Sequence, residues 1–105
     1  MKIELVLKRR DGRADAVAIY ENGNVIVRKG SLINLSGSEL SDNSTAQKYR
    51  LDRNVVGDDG VVKKDVQFNS ASMAATFVTG SITNGLKYWK TSDGKRLSDI
   101  INEKA

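Results

Sequence analysis

Asn22-Gly23 constrains this chain more than any other feature of its sequence. Asn-Gly is the strongest short signal for a β-hairpin, because a tight type I′ turn needs φ > 0 at both central positions and these two residues tolerate it. On one side lies Ala14–Tyr20 (ADAVAIY), β-rich towards its end. On the other, Val25-Ile26-Val27 returns as the partner strand. Residues 2–9 (KIELVLKR) alternate, with Ile3, Leu5 and Leu7 on one face and Lys2, Glu4 and Lys8 on the other. Period two over that length describes a half-buried strand. Arg10-Asp11-Gly12-Arg13 supplies a turn between them, so two or three antiparallel strands open the chain.

The remainder alternates between turn signals and short periodic segments. Gly30–Ser41 (GSLINLSGSELS) reads as a strand end followed by a loop. Ser44 and Gln47 stand at capping-box spacing, which predicts a helix from about Thr45 to Arg53, before Gly57 and Asp58-Asp59-Gly60 break it. Val61–Phe68 (VVKKDVQF) has the pattern of a strand, with Val62 and either Phe68 or Val66 turned inward. Asn69 or Ser70 then caps a second helix. Ala71, Ala74, Ala75 and Val78 fall at i, i+3, i+4 and i+7 of it, and Phe77 widens the apolar stripe. Gly80 suits the left-handed position that ends such a helix. Asn84-Gly85 reads as another turn, Leu86–Lys90 (LKYWK) as a short extended aromatic segment, and Asp93-Gly94 as a further turn. Leu97, Ile100 and Ile101 share one face of a terminal helical turn. No internal repeat, low-complexity tract or Pro-rich linker divides residues 1–105. The expected fold is a single α+β domain, a mostly antiparallel sheet with two or three short helices, the central one at Ser70–Thr79.

Composition narrows the chemistry. The 105 residues include no cysteine and no histidine. Disulfides, thiolate nucleophiles, the common Cys/His zinc sites and every His-dependent general base are thereby excluded. Cysteine-free composition also fits a reducing cytosol. Asp58-Asp59-Gly60 is the densest acidic spot, yet it lacks the alternating acids and distal Glu of a calcium loop, so neither a metal nor a cofactor is expected. Apolar runs such as Ala16–Tyr20 fall far short of the ~20 residues a bilayer crossing needs. Met1–Glu4 has no signal-peptide character, and the expected location is cytoplasmic. A net charge of +4 favours polyanionic partners only weakly, and a solvated, solubility-promoting surface is the commoner reason for it.

Three basic clusters are candidate phosphate contacts: Lys8-Arg9-Arg10 with Arg13, Arg28-Lys29, and Lys87, Lys90 and Lys95-Arg96. Charge clusters also serve simply as solvated surface, and convergence on one face is what separates the two readings. Tyr88-Trp89 offers a platform on which an exposed base stacks, gripped by Lys87, Lys90 and Lys95. The competing reading packs Trp89 against the alanine face of Ala71–Val78, the commoner use of a large aromatic beside small residues. In a strand Tyr88 and Trp89 would point to opposite sides, one exposed and one buried. Gly30-Ser31 and Gly80-Ser81 lack the lysine and glycine pattern of a phosphate loop. Ser70 and Ser72, without a histidine or activating lysine, read as helix caps rather than nucleophiles. No catalytic residue is expected.

The order of short pieces along the chain carries a resemblance. Phe68-Asn69-Ser70-Ala71-Ser72-Met73-Ala74-Ala75 precedes Gly80-Ser81, Asn84-Gly85, Trp89-Lys90, Asp93-Gly94-Lys95 and Leu97. Before these come Arg13-Ala14-Asp15-Ala16, Val27-Arg28-Lys29-Gly30-Ser31 and Tyr49-Arg50. This ordered set, over about residues 12–101, resembles the prokaryotic family "domain of unknown function 4357". The family often has Pro where Ala71 stands and an aromatic where Leu86 stands. The resemblance implies no activity, only company. Such domains occur with GIY-YIG-type nucleases and restriction–modification components, and resemble a wider group proposed to read modified DNA.

Two function classes follow. One is a non-enzymatic nucleic-acid-binding module tied to restriction or DNA processing, with DNA and a nuclease or restriction–modification protein as partners. The other is an accessory domain that docks on a partner protein, for which an exposed apolar patch would argue.

Overall fold

The computed structural model describes residues 2–9, 12–35, 44–81 and 84–102. Three strands open the fold as the sequence predicts. β1 (Lys2–Lys8) pairs antiparallel with β2 (Asp15–Glu21), which pairs with β3 (Asn24–Val27). Asn22 (φ 53°) and Gly23 (φ 86°) lie in the left-handed region between β2 and β3, the backbone of a type I′ turn. β4 (Val66–Phe68) adds to β3, giving an antiparallel sheet in the order β1-β2-β3-β4.

The strand expected over 61–68 is split between two partners. Val61 bridges Leu32, and Val62 bridges Val56. Only Val66–Phe68 joins the sheet. Lys63-Lys64-Asp65 turns the chain between the two pairings, held by the Lys63 N–H on the Val55 carbonyl and by Asp65 accepting from the Lys29 N–H. Val62, Val66 and Phe68 are all buried, as their common parity requires.

α1 (Thr45–Leu51) starts at Ser44, whose hydroxyl accepts from the Gln47 N–H. It stops at Leu51 rather than Arg53. Asp52 is extended, and its carboxylate accepts the Asn54 N–H, a local bond that competes with continuing the helix. α2 (Ala71–Thr79) is capped by Ser70 on the Met73 N–H and ends at left-handed Gly80. Its Ala71, Ala74, Ala75, Phe77 and Val78 are buried, as the periodicity predicts.

The segment expected to be extended after Asn84-Gly85 is instead one helical turn, α3 (Gly85–Tyr88), capped by the Asn84 side chain on the Leu86 N–H. Gly85 does not take positive φ. It serves a close approach: a Cβ there would lie 2.0 Å from the Ala71 carbonyl oxygen and 2.5 Å from the Ser72 nitrogen. α3 therefore sits backbone-to-backbone on the first turn of α2, with the Gly85 N–H donating to the Ser72 hydroxyl at 3.1 Å. Extended structure resumes at Trp89 and Lys90, and Lys90 bridges both Val6 and Arg96. α4 (Leu97–Asn102) follows, its Leu97 buried and Ile101 packed on the core.

These elements form two layers. One sheet face carries Leu5, Leu7, Ala16, Ala18, Val25, Val27, Val66 and Phe68, all buried. Small alanines on α2 let the helix approach β3 and β4 closely. Phe68 meets Tyr49 edge-on at 5.6 Å between ring centroids and Phe77 at 5.1 Å. Trp89 closes the core beside α2. It is fully buried, and its indole N–H donates to the Ala71 carbonyl at 3.0 Å. Of the two readings of Trp89, packing against the alanine face of α2 is the one the structure shows, so a Tyr88-Trp89 stacking platform loses its larger ring. Tyr88, at the end of α3, stays 56% exposed.

Candidate functional site

Antiparallel register fixes which side chains share a face, because directly paired residues point the same way. With Leu5 and Leu7 inward, Lys2, Glu4, Val6 and Lys8 point outward, away from the buried face. Val6 pairs with Val17 in β2 and bridges Lys90, which bridges Arg96. The β2–β3 register continues from Ala18↔Val27 to set Arg28 beside Val17, and the Arg28 N–H donates to the Val17 carbonyl at 2.8 Å. Arg28 in turn meets Asp65, which precedes β4, at 3.7 Å. One row therefore crosses the outer face: Arg96, Lys90, Val6, Val17, Arg28, Asp65.

Its neighbours are of mixed charge. Lys8 and Asp15 pair on one side of the row. On the other side Glu4, Ile19, Ile26 and Gln67 are matched across four strands, followed by Lys2, Glu21 and Asn24. Lys8, Arg9 and Arg13 thus lie towards the β1–β2 connection together with Asp15, and Glu4 and Glu21 towards the opposite end together with Lys2. At the centre lies an apolar island of Val6, Val17, Ile19 and Ile26. Val17 is 36% exposed and the other three are half-buried.

Each of the three basic clusters contributes to this face: Lys8 from the first, Arg28 from the second, Lys90 and Arg96 from the third. Arg9 and Arg13 are exposed in the β1–β2 connection, at the same end but off the row. Arg10 lies outside the described residues. Lys29 is exposed just beyond Arg28, Lys87 is on α3, and Lys95 is in the turn after Thr91, all off the row. Trp89 leaves the site because it is buried, but it positions Lys90, the next residue.

The apolar island was not anticipated. Its signal was present: β1 and β2 carry apolar residues at both parities, so Val6, Val17 and Ile19 stand where an ordinary half-buried strand has polar side chains. A second unanticipated cluster is structural. Arg50 on α1 donates to the Phe77 carbonyl and to the Asn34 carbonyl, each at 2.7 Å. Asn34 donates to the Thr79 carbonyl at 2.9 Å. Burial lowers the Arg50 pKa. Its cation sits at the carbonyl end of α2, where the helix dipole favours positive charge.

Among the described residues no cluster of His, Cys, Asp or Glu is arranged to hold a metal ion, and no helix is long and apolar enough to cross a membrane. Set against known proteins, residues 5–101 match the family described as "Domain of unknown function (DUF4357)". The match reaches further towards the start than the motif order suggested, taking in most of β1 and therefore Val6 and Lys8. No curated protein and no solved structure matches the chain.

Proposed function

This chain belongs to the DUF4357 family, and from that premise we propose that it is a non-enzymatic module that binds nucleic acid on its open sheet face. The row across that face carries the reading. Lys8, Arg28, Lys90 and Arg96 come from three separate parts of the sequence, and β-pairing gathers them on one side of the sheet. Solvated surface charge has no need of such convergence, whereas a polyanion does. Lys90 and Arg28 stand three strand spacings apart, about 14 Å, so the two can hold phosphates at separate, non-adjacent points of one backbone. The company that such domains keep with nucleases and restriction–modification components supports DNA as the polyanion and DNA processing as the setting.

A salt-dependent titration tests this. DNA affinity should fall steeply as salt rises, and Lys90→Ala or Arg28→Ala should flatten the slope by about 0.7–0.9 for each phosphate no longer neutralised. No binding to duplex or single strand in low salt would end the reading, because phosphate contacts are strongest there.

A second reading, docking on a partner protein, draws on the apolar island, since contiguous exposed apolar surface commonly marks protein contacts. Co-purification of a partner by a protein with no affinity for DNA would favour it.

A further inference from the structure

We infer that the open sheet face takes single-stranded rather than duplex nucleic acid, its phosphates held by the cations at the two flanks of the row and its bases over the apolar island between them. This rests on the nucleic-acid function proposed for the same face and specifies its ligand. The observation is the order of chemistry across the face. Lys90 and Arg96 lie at one flank of the row and Arg28 at the other, while Val6 and Val17 between them carry no charge and no hydrogen-bonding group. Ile19 and Ile26 extend that apolar surface into the next row.

A duplex turns its phosphates outward and keeps its bases stacked inside. Seated here it would leave the island unmatched, and nothing at the centre could read base edges in a groove. A single strand has free base faces and edges to desolvate against Val17, Ile19 and Ile26, while its backbone follows the cations. The acids agree with this track. Asp65 is engaged by Arg28 and the Lys29 N–H. Asp15 is register-paired with Lys8 and Glu21 with Lys2, and Glu4 stands beyond the row on the side opposite Lys8. A backbone crossing the strands along the row thus avoids Glu4 and Glu21.

The test compares one oligonucleotide of about 12 nucleotides, single-stranded and as its duplex, against the intact chain in low salt. Val17→Thr/Ile19→Thr keeps the β-branched shape and removes apolar surface outside the core. The expected result is tighter binding of the single strand. The Thr pair should weaken it about five- to tenfold and change duplex binding less than about twofold. Glu4→Gln should tighten binding of the single strand. A thermal melt checks the Thr pair, and Ile26→Thr replaces it if the pair unfolds. Equal or tighter duplex binding, or a Thr pair without effect on the single strand, overturns the inference and leaves the nucleic-acid reading standing. Binding of neither form overturns both.

Discussion

Gly85→Ala is the sharpest test of how the C-terminal third is built. The added methyl would lie 2.0 Å from the Ala71 carbonyl oxygen and 2.1 Å from its carbon. Ordinary contact begins near 3.4 Å, so α3 must withdraw from α2 by roughly 1.4 Å (3.4 less 2.0). Both neighbours are helix backbone, which cannot rotate aside as a side chain can. Withdrawal breaks the Gly85 N–H bond to Ser72 and loosens the Trp89 N–H bond to Ala71. Overpacking costs about 1–3 kcal/mol, and an unsatisfied buried donor about 1–3 kcal/mol more. Alanine returns about 0.5–1 kcal/mol through helix propensity and reduced unfolded-state entropy. The net loss is about 1–5 kcal/mol, centred near 3 kcal/mol and a large part of the 5–15 kcal/mol typical of a domain. A loss near 3 kcal/mol should lower the melting temperature of a chain this size by about 12–24 °C. Urea and thermal unfolding followed by fluorescence report this directly, since Trp89 is the one tryptophan. Gly94→Ala is the control: its φ is +91° with nothing within 4 Å of the added carbon, so it should cost only about 1 kcal/mol. If Gly85→Ala were no worse than Gly94→Ala, the backbone contact between α2 and α3 would be refuted, and Asn84-Gly85 would be an ordinary turn.

Two further perturbations probe the rest of the fold. Arg50→Ala should destabilise by about 1.5–3 kcal/mol in denaturant unfolding, through loss of charge-assisted bonds to Phe77 and Asn34; Arg50→Lys should recover little, because one ammonium lacks the fork that reaches both carbonyls. The Asp93 carboxyl is held below the usual carboxylate range, first by its bond from the Thr91 hydroxyl. A depressed folded pKa contributes stability that is present above the unfolded pKa and lost as pH falls through the folded value. Thr91→Val should therefore raise the Asp93 pKa, measured by NMR titration, and remove that acid-side contribution. An unchanged Asp93 titration would refute the role given to Thr91.

Local signals proved legible where the physics is local. The Asn22-Gly23 turn, the Ser44 and Ser70 caps, the buried stripe of α2 and the stop at Gly80 each depend on neighbours within four residues. Asn84-Gly85 misled because glycine has two uses, positive φ and absence of a Cβ, and only the fold shows that Ala71 occupies the space a Cβ would need. The 61–68 segment misled for a related reason. Its parity was right, but Val62 and Val66 satisfy different partners, and strand pairing is decided at long range. The outer row was illegible because it depends on register: Lys90 joins Arg28 only through Val6 and Val17, pairings that no spacing along the chain encodes.

Core and site are nevertheless linked through parity. Three cations of the outer face each follow a buried residue: Lys8 after Leu7, Arg28 after Val27, Lys90 after Trp89. Extended backbone turns consecutive side chains to opposite faces, so seating the first residue in the core aims the second outward. Lys90 is the clearest case. The Trp89 indole is fixed to the Ala71 carbonyl, that carbonyl is reached because Gly85 lets α3 touch α2, and the next residue pairs with Val6. Gly85 and Lys90 should therefore be coupled functionally although they share no contact. If the sheet face binds nucleic acid as proposed, the contribution of Lys90 to that affinity should vanish in a partly folded Gly85→Ala protein while that of Arg28, set by the hairpin, persists. Lys90→Ala and Arg28→Ala measured by titration in both backgrounds give the comparison. Equal retention of the two contributions would show that the cations are positioned independently of the core.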